Sequence, residues 1–203
     1  MRATKVCTSG IFAAFVAIGA TPGSAYDVDS AARIYAAPAK KTPAPTAKAV
    51  LLSADGKEVG TVVLTQTKAG VRLRVTVQGL TPGEHGFHIH AVGKCEPPFT
   101  SAGPHFNPNE KKHGLRSRVG HHAGDMNNLK IPKNGKLTTT ITNKDVTLEK
   151  GKPNSLFHDG GTAIVIHAGP DDQLTDPSGN SGDRVACGVI SEEEKAAALT
   201  SPR

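Results

Sequence analysis

VRLRVTVQ, residues 71–78, decides the class of fold. Val71, Leu73, Val75 and Val77 fall on one face; Arg72, Arg74, Thr76 and Gln78 fall on the other. Strict alternation marks a strand with one side in a core and the other in water, the condition of antiparallel sheet. Working outward, similar segments recur. AVLLSA from Ala49 leads through the turn DGKEVG to TVVLTQT, and GLTPGEHG turns the chain into HGFHIH at 85–90. Later come KLTTTITN, DVTLE, TAIVIHA and RVACGVI. With 22 Gly and 14 Pro to make turns, this is an all-β chain. The expected architecture is an eight-stranded antiparallel Greek-key sandwich or barrel. Two long segments without periodicity, Ala91 to about Lys130 and Gly169–Asp183, are expected to be functional loops.

The 203 residues suit one domain with tails. Arg2 and Lys5 precede the apolar run Ile11–Ala20, and Gly23-Ser24-Ala25 offers small residues for cleavage. Residues 1–25 therefore read as a signal peptide rather than a membrane anchor. The protein is expected to be exported, with the periplasm as its location and no stable membrane insertion. Residues 26–48, rich in Ala, Pro and Lys, read as a tether. Residues 49–190 form the domain. Residues 191–203 form a tail whose Ser191 suits a helix N-cap. Losing Arg2 and Lys5 takes the formal charge from +6 to +4, without the basic run or interleaved aromatics of a nucleic-acid binder. Cys95 and Cys187 remain after cleavage, and an even pair in an exported chain reads as a disulfide.

The chemistry lies in histidines. In HGFHIH, strand parity puts His88 and His90 on one face and Phe87 and Ile89 on the other. Two imidazoles at i and i+2 on a rigid strand can clamp a metal ion. His85 has the opposite parity and reads as a buried histidine bonded to backbone carbonyls. The long loop adds His105, His113, His122 and Asp125, the composition of a closed tetrahedral zinc site. His167 closes an apolar strand, a place where packing or strand capping is the ordinary reason for a histidine.

HGFHIH, SAGPHFNP, HHAGD, the His167 strand and GNSGDRVACGVI occur in this order between Ala49 and Ile190. Together they resemble the copper/zinc superoxide dismutases, of a bacterial periplasmic type. The resemblance implies one copper and one zinc ion per subunit. Copper would be held by His88, His90, His105 and His167, and zinc by His105, His113, His122 and Asp125, with His105 shared. It implies Asp171 as the carboxylate linking His88 to His113, Arg184 as the receiver of the anion, and Cys95–Cys187 as the disulfide. It implies disproportionation of superoxide to dioxygen and hydrogen peroxide, with His105 passing a proton. The substrate partner is superoxide; a homodimer is allowed but not specified. Fast electrostatic capture is a property of that family and is taken over as such. The lysines that would assist Arg184 are Lys94, Lys111 or Lys112. The main alternative is a copper/zinc delivery or storage protein, against which stand Arg184 and a full ligand set. A copper-only site and a zinc hydrolase fit less well, since four donors close the zinc position. His121 and His158 fall outside the ligand set.

Overall fold

The computed structural model describes residues 43–193. The signal-peptide reading and most of the tether lie outside them. Ten strands are present: β1 (Thr46–Ser53), β2 (Glu58–Thr67), β3 (Gly70–Gln78), β4 (Gly83–His85), β5 (Phe87–His90), β6 (Leu129–Ile131), β7 (Lys136–Asn143), β8 (Ala163–His167), β9 (Arg184–Val189) and β10 (Ser191–Glu192). The main sheet has eight strands, in the order β5-β8-β9-β1-β2-β3-β7, with β10 added beside β1. Its pairings are antiparallel. β3 skips three strands to pair with β7, and β9 returns beside β1, which is a Greek-key path. β4 and β6 pair separately. They continue into β5 and β7, the two ends of the main sheet, so the sheet curls toward a barrel.

The alternation in VRLRVTVQ holds. Val71, Leu73 and Val75 have no exposed surface, whereas Arg72, Arg74, Thr76 and Gln78 are exposed. Leu51, Val62, Leu64, Phe87, Ile89, Ile164 and Ile166 join them in the interior. Each such side chain contributes about 1.5–3 kcal/mol on full burial.

Four expectations are corrected. DVTLE is no strand. Val146 and Leu148 are buried, but Gln66 Oε1 accepts from Leu148 N and Thr147 Oγ1. Gln66 thus takes the Leu148 N–H that a neighbouring strand would otherwise pair, and a single bridge from Thr147 to Ser155 remains. Ser191 caps no helix, because it pairs with Lys48 in β10. β1 begins at Thr46, so the last residues read as tether are strand. β6 begins at Leu129, within the last residues of the segment expected to be irregular.

A second, smaller core lies on the outer side of β8 and β9. Phe99, Ala102, Ala163, Val165 and Cys187 pack there against Cys95. Cys95 and Cys187 form a disulfide across a sequence separation of 92 residues, pinning the loop after β5 to β9. Replacing both cysteines by serine is expected to cost about 4–5 kcal/mol on the chain-entropy argument. Denaturant unfolding of the two forms measures it; a loss under about 1 kcal/mol contradicts it.

Candidate metal centre

β5 is the scaffold of the site. Its inward side chains, Phe87 and Ile89, fill the core, and His88 and His90 project outward. All four are buried, because two loop segments lie alongside the strand. His105 bridges to His90, and Asp125 to His88. Ile89 N donates to Gly124 O (2.9 Å), Phe106 N to Ile89 O (2.8 Å) and Gly124 N to Phe106 O (2.8 Å). A Cβ on Gly124 would stand 2.2 Å from Ile89 O, so only glycine lets the segment come this close. β8 pairs with β5 on the other edge and ends in His167.

Two donor groups result. One nitrogen each of His88, His90, His105 and His167 lies within 4.8 Å of the others. The second group is His105, His113, His122 and Asp125, under the same limit. His105 is common to both. The sequence-predicted ligands are therefore all brought together, including His167, whose lone position suggested packing.

The outer nitrogens fix which atoms are free. His88 Nε2 donates to Asp171 Oδ2 (2.7 Å) and His113 Nε2 to Asp171 Oδ1 (3.0 Å). His90 Nδ1 donates to Gly103 O (2.8 Å), and His167 Nδ1 to Gly182 O (3.1 Å). The opposite atoms, His88 Nδ1, His90 Nε2, His167 Nε2 and His113 Nδ1, are buried without a hydrogen-bond partner, as is His105 Nε2. A buried polar atom left so costs about 1–3 kcal/mol unless something occupies it. Five such atoms aimed into two small volumes fit metal ions.

Around Asp125 the distances also fit a metal. Its Oδ1 lies 2.9 Å from His105 Nδ1 and 3.2 Å from both His113 Nδ1 and His122 Nδ1. His122 Nδ1 and His105 Nδ1 are 3.4 Å apart. Four donors set tetrahedrally at zinc bond lengths stand about 3.3 Å from one another. The other oxygen, Oδ2, is held by Gly114 N (2.8 Å) and His122 N (3.1 Å), which leaves Oδ1 for the site. The remaining set, four imidazoles without a carboxylate, suits copper among other imidazole-binding metals.

Protonation divides the site in the metal-free state. Burial pushes His88 down to about 3, against the pull of Asp171, and His167 down to about 4. Burial likewise holds His90 well below its ordinary value and lowers His105 against the pull of Asp125. These rings are neutral at pH 7 and offer lone pairs. His113 goes the other way. Burial opposes its charge, yet the Asp125 and Asp171 carboxylates lift it to about 9.

Asp171 contacts both His88 and His113, as the family resemblance implies, and two residues that hold it went unnoticed. Asn128 grips its backbone on both sides: Asp171 N donates to Asn128 Oδ1, and Asn128 Nδ2 to Asp171 O, each at 2.9 Å. Gly179, at φ +63, lies so close that a Cβ would meet Asp171 Oδ1 at 1.7 Å. Neither carries a signal in a single sequence, since both act through long-range placement. Gly179→Ala is expected to push Asp171 off both imidazoles and weaken zinc binding about 10–100-fold. Competition with a chromophoric chelator reads this; unchanged affinity refutes it.

His85 also stands as read. It is buried, with Nδ1 at 2.7 Å from His167 O and Nε2 at 2.9 Å from Thr81 O. His121 pairs with Asp145 at the surface (3.1 Å), and His158 stacks on Phe106. Arg184 lines a cleft of about 720 Å³ together with His105, His167, Thr100, Pro177 and Ser178. Its Nη1 donates to Phe99 O (2.6 Å) and its Nη2 to Gly103 O (2.8 Å). Phe99 is buried at φ 71, a left-handed conformation that is uncommon outside glycine. The disulfide-pinned loop thus aims two carbonyls at the guanidinium. Lys94, Lys111 and Lys112 do not line this cleft, and Lys112 is paired with Asp176 at 2.8 Å.

The copper/zinc superoxide dismutase (SODC) family profile matches residues 58–190. The chain belongs to the copper/zinc superoxide dismutase family. It is 50% identical over 142 residues to superoxide dismutase Cu-Zn 1 of Aquifex aeolicus, covering 69% of this chain and 84% of that one. It is likewise 50% identical over 146 residues to superoxide dismutase Cu-Zn 2 of the same organism, covering 71% and 85%. Among solved structures it is similar to a SOD-like protein from Bacillus subtilis. There the TM-score is 0.69 at 38% identity, covering 71% of this chain and 97% of that one. Membership of the copper/zinc superoxide dismutase family accounts for both donor groups, and with them for the copper and zinc that the family uses.

Proposed function

We propose that this protein disproportionates superoxide outside the cytoplasm, turning two superoxide ions and two protons into dioxygen and hydrogen peroxide. The observation that carries the reading is the shared ring: His105 belongs to both donor groups, and its Nε2 is buried without a partner. His88, His90, His105 and His167 would hold copper, and His105, His113, His122 and Asp125 would hold zinc. Bound copper supplies a one-electron acceptor and donor, and bound zinc supplies a fixed charge without redox change.

The chain's own groups do the rest. His105 Nε2 faces the copper side and can take up a proton and give it to the departing peroxide. Asp125 and Asp171 hold the imidazoles in one orientation and tautomer. Arg184 keeps its charge at every working pH. With two of its N–H groups fixed on carbonyls, it can receive a small anion beside the histidines. Thr100, Pro177 and Ser178 narrow the cleft around that position.

Metal analysis combined with a superoxide-decay assay tests the reading. One copper and one zinc per chain with fast decay supports it. Full metal content without decay would instead assign the delivery or storage role. Arg184→Ala is expected to lower turnover roughly 100-fold with copper content unchanged, the low end of what losing one anion-stabilising donor costs. Activity equal to wild type at all salt concentrations would remove Arg184 from the mechanism. The extracytoplasmic location rests on the N-terminal sequence, and fractionation of cells expressing the whole chain tests it.

A further inference from the structure

Gln173 follows Asp171 by two residues and is half-buried. Its polar atoms reach both loop segments that carry zinc donors, as well as Asp171. The backbone N donates to Asp171 Oδ1 (2.6 Å), the oxygen that also accepts from His113 Nε2. The backbone O accepts from Arg116 N (3.2 Å). In the side chain, Oε1 accepts from Leu115 N (3.3 Å), and Nε2 donates to Met126 O (3.1 Å). Leu115 stands two residues after His113, and Met126 directly after Asp125. One amide group therefore spans the segment of one zinc donor and the segment of another.

The local backbone suits this contact. Gly114, at φ +96, comes so near that a Cβ on it would stand 2.1 Å from Gln173 O. Gln173 itself is left-handed, at φ 62, a conformation unfavourable to a residue with a Cβ. Glycine would suit that backbone better. What glutamine adds there is its amide, with acceptor and donor each placed on a loop backbone group. The neighbouring ties are narrower. Asp176 Oδ1 accepts from His113 N (2.6 Å), which secures the first segment, and Asn128 secures the second to Asp171. The Gln173 amide joins the two segments to each other.

We infer that Gln173 is a positioning residue for zinc. Its amide fixes the spacing of the His113 and Asp125 segments, so that His113 Nδ1 and Asp125 Oδ1, 3.2 Å apart, stand in place before the ion arrives. Holding donors in their bound arrangement lowers the ordering cost of binding. The inference rests on reading His105, His113, His122 and Asp125 as the zinc set. The outer nitrogens of His88, His90 and His167 are held by Asp171, Gly103 and Gly182 rather than by this amide, so the effect belongs to zinc and not to copper.

Competition of the full chain with a chromophoric chelator, for zinc and copper separately, tests the inference. Gln173→Met keeps the length of the side chain and removes both of its hydrogen bonds. Zinc affinity should fall about tenfold, the low end of what losing such a supporting contact costs, with copper affinity unchanged. Gln173→Asn suits the left-handed backbone and keeps an amide, but it lacks a methylene of reach and should lose affinity to the same extent. Cobalt(II) bound in place of zinc gives a visible band that reports tetrahedral geometry, and the band should weaken in both variants. Zinc affinity and a cobalt band that stay unchanged in Gln173→Met overturn the inference, even where the metal-free variant melts lower, since the glutamine would then be structural only. An equal loss of copper affinity overturns it too, as a general loosening of the centre. Wild-type protein that takes up no zinc would remove the zinc assignment and this inference together, whereas wild-type zinc uptake matched by Gln173→Met removes the inference alone.

Discussion

Stripped of metal, the protein is expected to lose most of its stability between pH 6.5 and 4.5, whereas the reloaded protein barely responds. The sign follows from the buried imidazoles. His88 at about 3 and His167 at about 4 lie below the ordinary value near 6.5. Below pH 6.5 the unfolded chain therefore binds more protons than the folded one, and stability falls as pH falls. At pH 4.5 each of the two rings costs roughly 2–3 kcal/mol. Together that is about 5 kcal/mol, comparable with the whole stability of an ordinary domain. His90 and His105, also lowered, act in the same direction. His113 works oppositely. Raised to about 9, it adds stability that is complete below pH 6.5 and fades as pH rises through 9. The metal-free protein should thus be most stable near pH 6.5–7.

Bound metal replaces protons as the partner of these nitrogens, so it should flatten that profile and raise it. A ligand present at a thousand times its dissociation constant adds about 4.1 kcal/mol per site. For a domain of this size that corresponds to about 8–16 °C in melting temperature per metal. Melting curves of stripped and reloaded protein from pH 4.5 to 9 give both quantities. A metal-free profile that stays level through pH 5 would show that the imidazoles are not buried as described. Zinc uptake at pH 7 should also release a proton from His113, which calorimetry in buffers of different ionisation enthalpy detects.

The residues alone made most of the candidate ligands legible, because each is a rare residue type at a strand or loop position whose partners can be counted; His167, which reads as packing or a strand cap, entered only through the family resemblance. Parity alone separated His88 and His90 from Phe87 and Ile89, and set His85 apart as a carbonyl-bonded histidine. Its place beside the metal centre, through the carbonyl of His167, depends on a contact between distant segments. The same limit hid Asn128 and Gly179. An asparagine that grips a backbone, or a glycine needed because a carboxylate stands where its Cβ would be, looks like any other loop residue until the chain is folded. DVTLE misled for a related reason. Its alternating Val146 and Leu148 do enter the core, but alternation reports which side chains are buried, not which backbone groups are paired. The pairing went to Gln66, on a strand far upstream.

His105→Ala should have the largest effect of any single substitution. It takes one nitrogen from each donor group at once, leaving His88, His90 and His167 on one side and His113, His122 and Asp125 on the other. Three imidazoles still suit copper, so copper content should fall little. The zinc set drops from four donors to three, and zinc should bind at least tenfold more weakly. Superoxide removal should fall by about 10²–10⁴, the usual worth of a placed proton donor. The structure supplies a matched control. His121→Ala removes a neighbouring histidine whose partner is Asp145 rather than either donor group, and should change neither metal content nor activity. A zinc affinity that responds equally to both substitutions would mean that the ring of His105 merely fills space. A response confined to His105→Ala, seen both in the copper spectrum and in zinc affinity, is what a ring shared by two sites requires.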